Sequence, residues 1–318
     1  MKKALRLMGW LIGSIVVLIG LGASFIAVRG IPRLNNQAVD IQVTITPERV
    51  QRGKKLASLL CQHCHLNVQT GAYTGKLVAD APAEFGKAYA PNITASNQFG
   101  IGTWSNGEIA YLLRTGVKRD GYYAPPWMPK LPLMADEDLL SIIAFLRSDD
   151  PLVAAKEVPD QPCEPTFLTK FLCTVAFKEL PYPSSPILMP DTSDHVAHGK
   201  YLALAAVECY SCHSADFKTN DPLVPENSIG FFGGGNKMVD LDGKTILTAN
   251  ITPDAETGIG QWSKEQFITA VMTGQRPDGR MLRAPMMPYV TLDSAEAGAI
   301  YDYLKTIPKI KKDVASVQ

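Results

Sequence analysis

Cys61-Gln62-His63-Cys64-His65 and Cys209-Tyr210-Ser211-Cys212-His213 are two copies of one pattern, Cys-x-x-Cys-His. Two thiols three positions apart lie on one side of a helical turn, and the histidine that follows projects from the same face. That geometry suits addition of both sulfurs to the vinyl groups of one haem, with the imidazole on its iron. A Cys-x-x-Cys pair alone also serves redox dithiols, and two such pairs can hold one zinc ion. Here each pair is followed directly by His, and the second copy lies 148 residues after the first. The sequence therefore predicts two covalently bound haem c groups, one on Cys61, Cys64 and His65 and one on Cys209, Cys212 and His213.

Downstream of each motif the chain repeats itself. Residues 92–105 read NITASNQFGIGTWS and residues 250–263 read NITPDAETGIGQWS, an offset of 158. The repeat continues through Thr115-Gly116 and Thr273-Gly274, through Asp120-Gly121 and Asp278-Gly279, and to a Met-Pro in each copy. A helical pattern closes each copy, Asp136–Arg147 and Ser294–Lys305. Helices Arg52–Leu60 and His198–Glu208 are predicted to lead into the haem motifs. Gly53 and Gly199 near their starts would let the closing helix approach closely. The second copy has about ten extra residues between its motif and Asn-Ile-Thr, assigned to the Gly-rich stretch Phe231–Gly235 and the Asp242-Gly243 turn. Internal repetition of this kind marks two units of one design. They are placed at 46–149 and 191–309, joined by a Pro-rich connector, 150–190.

Each iron needs a ligand on its other side. A thioether is a soft donor that favours reduced iron. Met128 precedes Pro129 in the first copy and is the candidate there, with Met134 as a weaker competitor. In the second copy the strict offset points to Met286, whereas the Met-Pro pattern points to Met287; the pattern is preferred. His195 and His198 are alternative ligands in a two-histidine site, and His63 is expected to face solvent. Trp104 and Trp262 occupy equivalent places in GIGxWS, where an indole suits a haem wall or a propionate hydrogen bond. Asn92 and Asn250, with Thr94 and Thr252, bond the haem or its histidine, or cap a turn.

The N-terminus decides the compartment. Lys2, Lys3 and Arg6 precede an uncharged run from Leu7 to Val28, 22 residues long, which Arg29 ends. That length crosses a bilayer, while a signal peptide core is usually about 7–15 residues. Residues 1–30 are read as an uncleaved transmembrane anchor, although Gly22-Ala23-Ser24 would serve as a cleavage site. The basic flank puts the N-terminus in the cytoplasm of a bacterial inner membrane and the haem units in the periplasm. In an oxidising compartment Cys163 and Cys173 of the connector are expected to form a disulfide. Net charge is zero, with 31 basic and 31 acidic residues, which argues against a nucleic-acid partner. Residues 191–306 carry nine basic and fifteen acidic residues, a surface suited to a basic docking partner.

Taken together, CxxCH, Asn-Ile-Thr-Pro, Thr-Gly-Ile-Gly-x-Trp-Ser and Met-Pro-Tyr resemble the cytochrome c subunits of membrane-bound alcohol, aldehyde and gluconate dehydrogenases. The match is best in the second half (CYSCH, NITPDAETGIGQWS, MMPY). The resemblance implies a mainly α fold, with two tandem class I-like cytochrome c domains after the N-terminal transmembrane helix. It also implies His/Met ligation, with Met287 as the second distal ligand. Those subunits usually carry three haem domains, whereas this chain has two CxxCH motifs.

The function expected is single-electron transfer between a dehydrogenase or quinol-oxidising complex and a terminal acceptor such as an oxidase. The alternative is a dihaem enzyme, a peroxidase or sulfur-compound oxidase, with one open haem. Two filled distal positions and only five histidines argue against that alternative.

Overall fold

The computed structural model describes residues 2–79, 81–240 and 242–314. Among these residues the chain is mainly helical, with four short strands in two antiparallel pairs. Helix α1 (Lys2–Arg29) is continuous and has no buried residue. Its uncharged run measures roughly 33 Å at about 1.5 Å per residue, close to the roughly 30 Å of a bilayer core.

Two similar helical arrangements follow. In the first, α2 (Pro47–Leu60) is capped by Thr46, whose hydroxyl accepts from the Arg49 N–H. The short α3 (Gln62–His65) carries the first haem motif, and strand β1 (Gly86–Lys87) follows it. Helix α4 (Asn106–Thr115) opens with a Ser105/Glu108 capping box and stops at Gly116, whose φ of 83° is left-handed. Helix α5 (Asp136–Leu146) closes the arrangement. Strand β2 (Glu164–Pro165), paired with β1, and helix α6 (Phe167–Val175) lie in the connector.

In the second arrangement α7 (His195–Tyr201) widens into π-type turns over Leu202–Ala206 before α8 (Cys209–His213), which carries the second motif. A hairpin, β3 (Lys237–Val239) and β4 (Thr245–Leu247), accommodates the extra residues of this copy. Helix α9 (Lys264–Thr273) has the same cap and stop as α4, a Ser263/Gln266 capping box and Gly274 at φ 82°. Helix α10 (Ser294–Leu304) closes the second arrangement. The expected lead-in helices are therefore present, but each starts several residues earlier, at its cap.

The two glycines act where the closing helix crosses. A Cβ on Gly53 would lie 1.8 Å from the Ser141 carbonyl oxygen on α5, and one on Gly199 would lie 1.8 Å from that of Ala299 on α10. Both obstacles are helix backbone, so the helices must separate to admit a methyl group. Around these crossings Leu56, Ile142, Ile143 and Phe145 fill one side, and Leu202, Ile300 and Leu304 the other, within a single apolar cluster. Gly199→Ala is expected to cost about 3 kcal/mol or more through overpacking. A urea midpoint unchanged from the parent protein would contradict that close crossing.

The connector is wrapped onto the first arrangement rather than standing off as a spacer. Val153 is fully buried, the Leu180 N–H donates to the Thr115 carbonyl, and Tyr182 stacks on Tyr111 with ring centroids 5.7 Å apart. Cys163 and Cys173 are not bridged. The Cys163 thiol lies exposed just before β2 and donates to the Tyr89 carbonyl, while Cys173 is buried on the inner face of α6. The expected disulfide is absent because strand pairing and helix packing turn the two side chains to different neighbours.

Candidate functional site

Both haem motifs open onto one cavity of about 1490 Å³. Leu59, Leu60 and Cys64 line it from the first copy, and Cys209, Cys212 and His213 from the second. This exceeds the roughly 300–1,000 Å³ of a site for a drug-sized ligand, and its wall is mainly apolar, with Val78, Phe85, Trp127, Ile251, Ile259 and Phe267 contributing. Large flat apolar macrocycles fit such a space, and the thiols that would hold them stand at its edge.

The two histidines are oriented identically. His65 Nδ1 lies 2.9 Å from the Pro91 carbonyl oxygen, and His213 Nδ1 lies 2.8 Å from that of Ala249. A carbonyl only accepts, so Nδ1 carries the proton in each ring and Nε2 keeps its lone pair for a metal. Burial holds both imidazoles below their usual pKa, opposed by these carbonyl bonds, and so favours the neutral, ligating form. His65 is buried and His213 half-buried.

The carbonyls are placed by the Asn-Ile-Thr motif. Asn92 and Asn250 each follow the carbonyl that holds a histidine. Asn92 Oδ1 accepts from the Thr94 N–H and hydroxyl, and its amide donates to the Lys156 and Val158 carbonyls. Asn250 repeats this with Thr252 and the Ile310 carbonyl. Neither side chain bonds the histidine; each ties its turn to the chain that returns after the closing helix. Packing in the first copy consequently extends beyond residue 149, as far as Val158.

The distal loops share a backbone register of 158. The Met128 N–H donates to the Pro125 carbonyl, and the Met286 N–H to that of Arg283. Leu131 to Leu113 and Tyr289 to Val271 match in the same way. Met286 therefore occupies the place of Met128. Met286 lines the cavity, whereas Met287 is 54% exposed. The preference for Met287 drawn from the Met-Pro pattern is not what the backbone brings to the cavity. Met128 packs half-buried against the apolar core, and its neighbours Trp127 and Pro129 line the cavity. Met134 is fully buried in the core. Trp262 lines the cavity; Trp104 packs against the core and its carbonyl accepts from Arg147. His195 and His198 line a separate cleft with Arg52 and Glu296, away from both motifs.

Three functional contributors escaped the motif reading. Arg114 is buried and donates to the carbonyls of Leu131, Pro132 and Met134 and to Asp136, so it clamps the distal loop of the first copy. Its equivalent in the second copy is Met272, which cannot do this. Glu208, at φ 55°, turns the chain into the second motif. Burial pushes its carboxyl up to about 8, against the opposing charge of Lys130 from the first copy. Burial likewise pushes Lys130 down to about 7, with the charges of Cys173 and Glu208 acting against that. No contact pattern in the sequence links these two residues, which are 78 positions apart.

Known proteins align with most of this chain. The fructose dehydrogenase cytochrome subunit of Gluconobacter japonicus is 27% identical over 270 residues, 81% of this chain and 52% of that one. The cytochrome c subunit of the quinone-type alcohol dehydrogenase of Gluconacetobacter polyoxogenes is 26% identical over 273 residues, 82% and 56% of the two chains. The chain resembles the cytochrome c subunits of dehydrogenases. The gluconate 2-dehydrogenase cytochrome c subunit of Pantoea cypripedii agrees, at 26% over 269 residues, 81% and 59%. The chain spans about half the length of the curated relatives it matches. No family model matches it.

Proposed function

We propose that this chain is a membrane-anchored dihaem cytochrome c that passes single electrons from a dehydrogenase to a terminal acceptor. The observation that carries this reading is the pair of histidines, each with Nδ1–H fixed on a backbone carbonyl beside a Cys-x-x-Cys, in two motifs that open onto one shared cavity. In this reading residues 46–149 and 191–309 are two class I-like cytochrome c domains. Cys61, Cys64 and His65 hold one haem and Cys209, Cys212 and His213 the other, with Met128 and Met286 as distal ligands and Trp262 as a wall. Bound haem supplies the one-electron chemistry through its iron. The protein holds the imidazoles neutral and aimed, encloses the cavity in apolar side chains, and keeps the two sites in contact. Helix α1 anchors the chain in the inner membrane, with the haem domains in the periplasm. The relatives' names favour a dehydrogenase as donor, docked over a small and transient interface.

The test is haem counting combined with ligand challenge. The purified full-length protein is expected to carry two haems that survive acid extraction, both low-spin and slow to bind cyanide. One haem or none, or a high-spin haem that binds cyanide or peroxide rapidly, would overturn the carrier reading; the last result would favour the dihaem enzyme.

A further inference from the structure

Helix α6 is amphipathic with its apolar face turned outward. Phe167, Leu168, Phe171 and Val175 fall within an arc of about 100° at helical spacing and are 47%, 41%, 38% and 52% exposed. On the opposite side Thr169 and Cys173 are buried against the protein, and the Thr169 hydroxyl donates to the Phe85 carbonyl. A soluble surface helix has the reverse arrangement. The exposed rings of Phe167 and Phe171 stack on each other, with centroids 6.3 Å apart.

The position of this face identifies what covers it. Helix α6 packs against α1, and Lys170 Nζ donates to the Ala27 carbonyl at 3.2 Å. Ala27 lies two residues before Arg29, the charge that ends the apolar run. The face of α6 is therefore continuous with the membrane-spanning surface, at the depth where hydrocarbon meets headgroups. Arg29 and Lys170 lie at the junction and suit phosphate headgroups. Interfacial helices of this kind bury their apolar face roughly 5–10 Å into the headgroup–acyl boundary.

We infer that Phe167, Leu168, Phe171 and Val175 form a second membrane contact, with α6 lying in the outer interface of the bilayer that α1 spans; this rests on the reading of α1 as an anchor. The inner side of the same segment, Leu172, Ala176 and Phe177, lines the cavity shared by the two haem motifs. Seating α6 in lipid therefore brings one edge of that cavity to the membrane surface and restricts how the haem domains tilt.

Photolabelling tests this in the full-length haem protein, reconstituted into phosphatidylcholine–phosphatidylglycerol vesicles. A phospholipid carries a diazirine high on its acyl chain, and labelled peptides are located by mass spectrometry. Label is expected in both α1 and residues 167–175. Phe167→Asp/Phe171→Asp is expected to lose the label on residues 167–175 while keeping that on α1, with an unchanged haem spectrum. Label confined to α1 in the parent protein overturns the α6 contact and leaves the anchor standing. Label in neither segment overturns both, and undiminished label on residues 167–175 in the double variant overturns the assigned face.

Discussion

Met286→Ala is expected to abolish the near-infrared methionine–iron absorption of one haem and to lower its potential, while Met287→Ala leaves both haems unchanged. The two residues are neighbours in sequence but differ in environment. Met286 lines the cavity, and its N–H closes the same four-residue turn as that of Met128. Met287 directs more than half of its surface to solvent. A thioether stabilises ferrous over ferric iron, so its removal shifts the equilibrium toward the oxidised form. Axial ligands set haem potentials over roughly 0.8 V, and a fall on the order of 0.1 V is expected here. Met128→Ala should do the same to the other haem, and with both removed no methionine signature should remain. Loss of the signature in Met287→Ala with Met286→Ala unaffected would restore the Met-Pro alignment. Visible and near-infrared spectra with a potentiometric titration decide the question, and none of them depends on knowing the electron donor.

The sequence carried those features that local chemistry enforces. The haem motifs and the internal repeat were legible because a few adjacent residues make each of them, whereas the capping boxes at Ser105 and Ser263 and the helix stops at Gly116 and Gly274 emerged only from the structure. The close helix crossings were legible at Gly53 and Gly199 because no other residue tolerates a carbonyl so near. The Met-Pro pattern and the backbone register point to different methionines because proline after methionine is a dipeptide feature, while the register follows the hydrogen bonds of the whole loop. Arg114 was invisible because the carbonyls it binds, at 131, 132 and 134, have no side-chain signature. The Pro-rich composition of residues 150–190 suggested a connector between the two units, yet α6 forms inside it and Val153 is buried against the first arrangement. Composition describes the isolated chain, and tertiary burial overrode it.

The joint between the two copies was equally hidden in the sequence, and it predicts the largest loss of stability from a single charged side chain. Arg52 on α2 donates from Nε and Nη2 to both oxygens of Asp138, each at 2.8 Å, and from Nη1 to Glu296 on α10 of the second copy at 2.9 Å. Tyr201 of the second copy closes the circuit, donating to Asp138 at 2.7 Å and accepting from the Ala135 N–H. Burial works to lower the Arg52 pKa, but the two carboxylates overcome it and hold the guanidinium above its ordinary value. Arg52→Met leaves Asp138 buried without its cation and Glu296 with Lys55 alone, which should cost about 3 kcal/mol or more. Arg49 provides the control, since it lies on the same helix in a similar pair with Glu137, whose side chain is 56% exposed. Arg49→Met should cost less than about 1 kcal/mol, because water screens that pair and solvates the carboxylate left behind. The comparison is read as two urea midpoints on the haem-loaded protein. Because the Arg52 network joins helices of both copies, its loss should also slow electron equilibration between the haems after a laser flash, whereas Arg49→Met should not. Equal stability losses would mean that the buried network contributes no more than a surface ion pair. An unchanged equilibration rate in a destabilised Arg52→Met would place the rigidity of the joint in the shared apolar cluster instead.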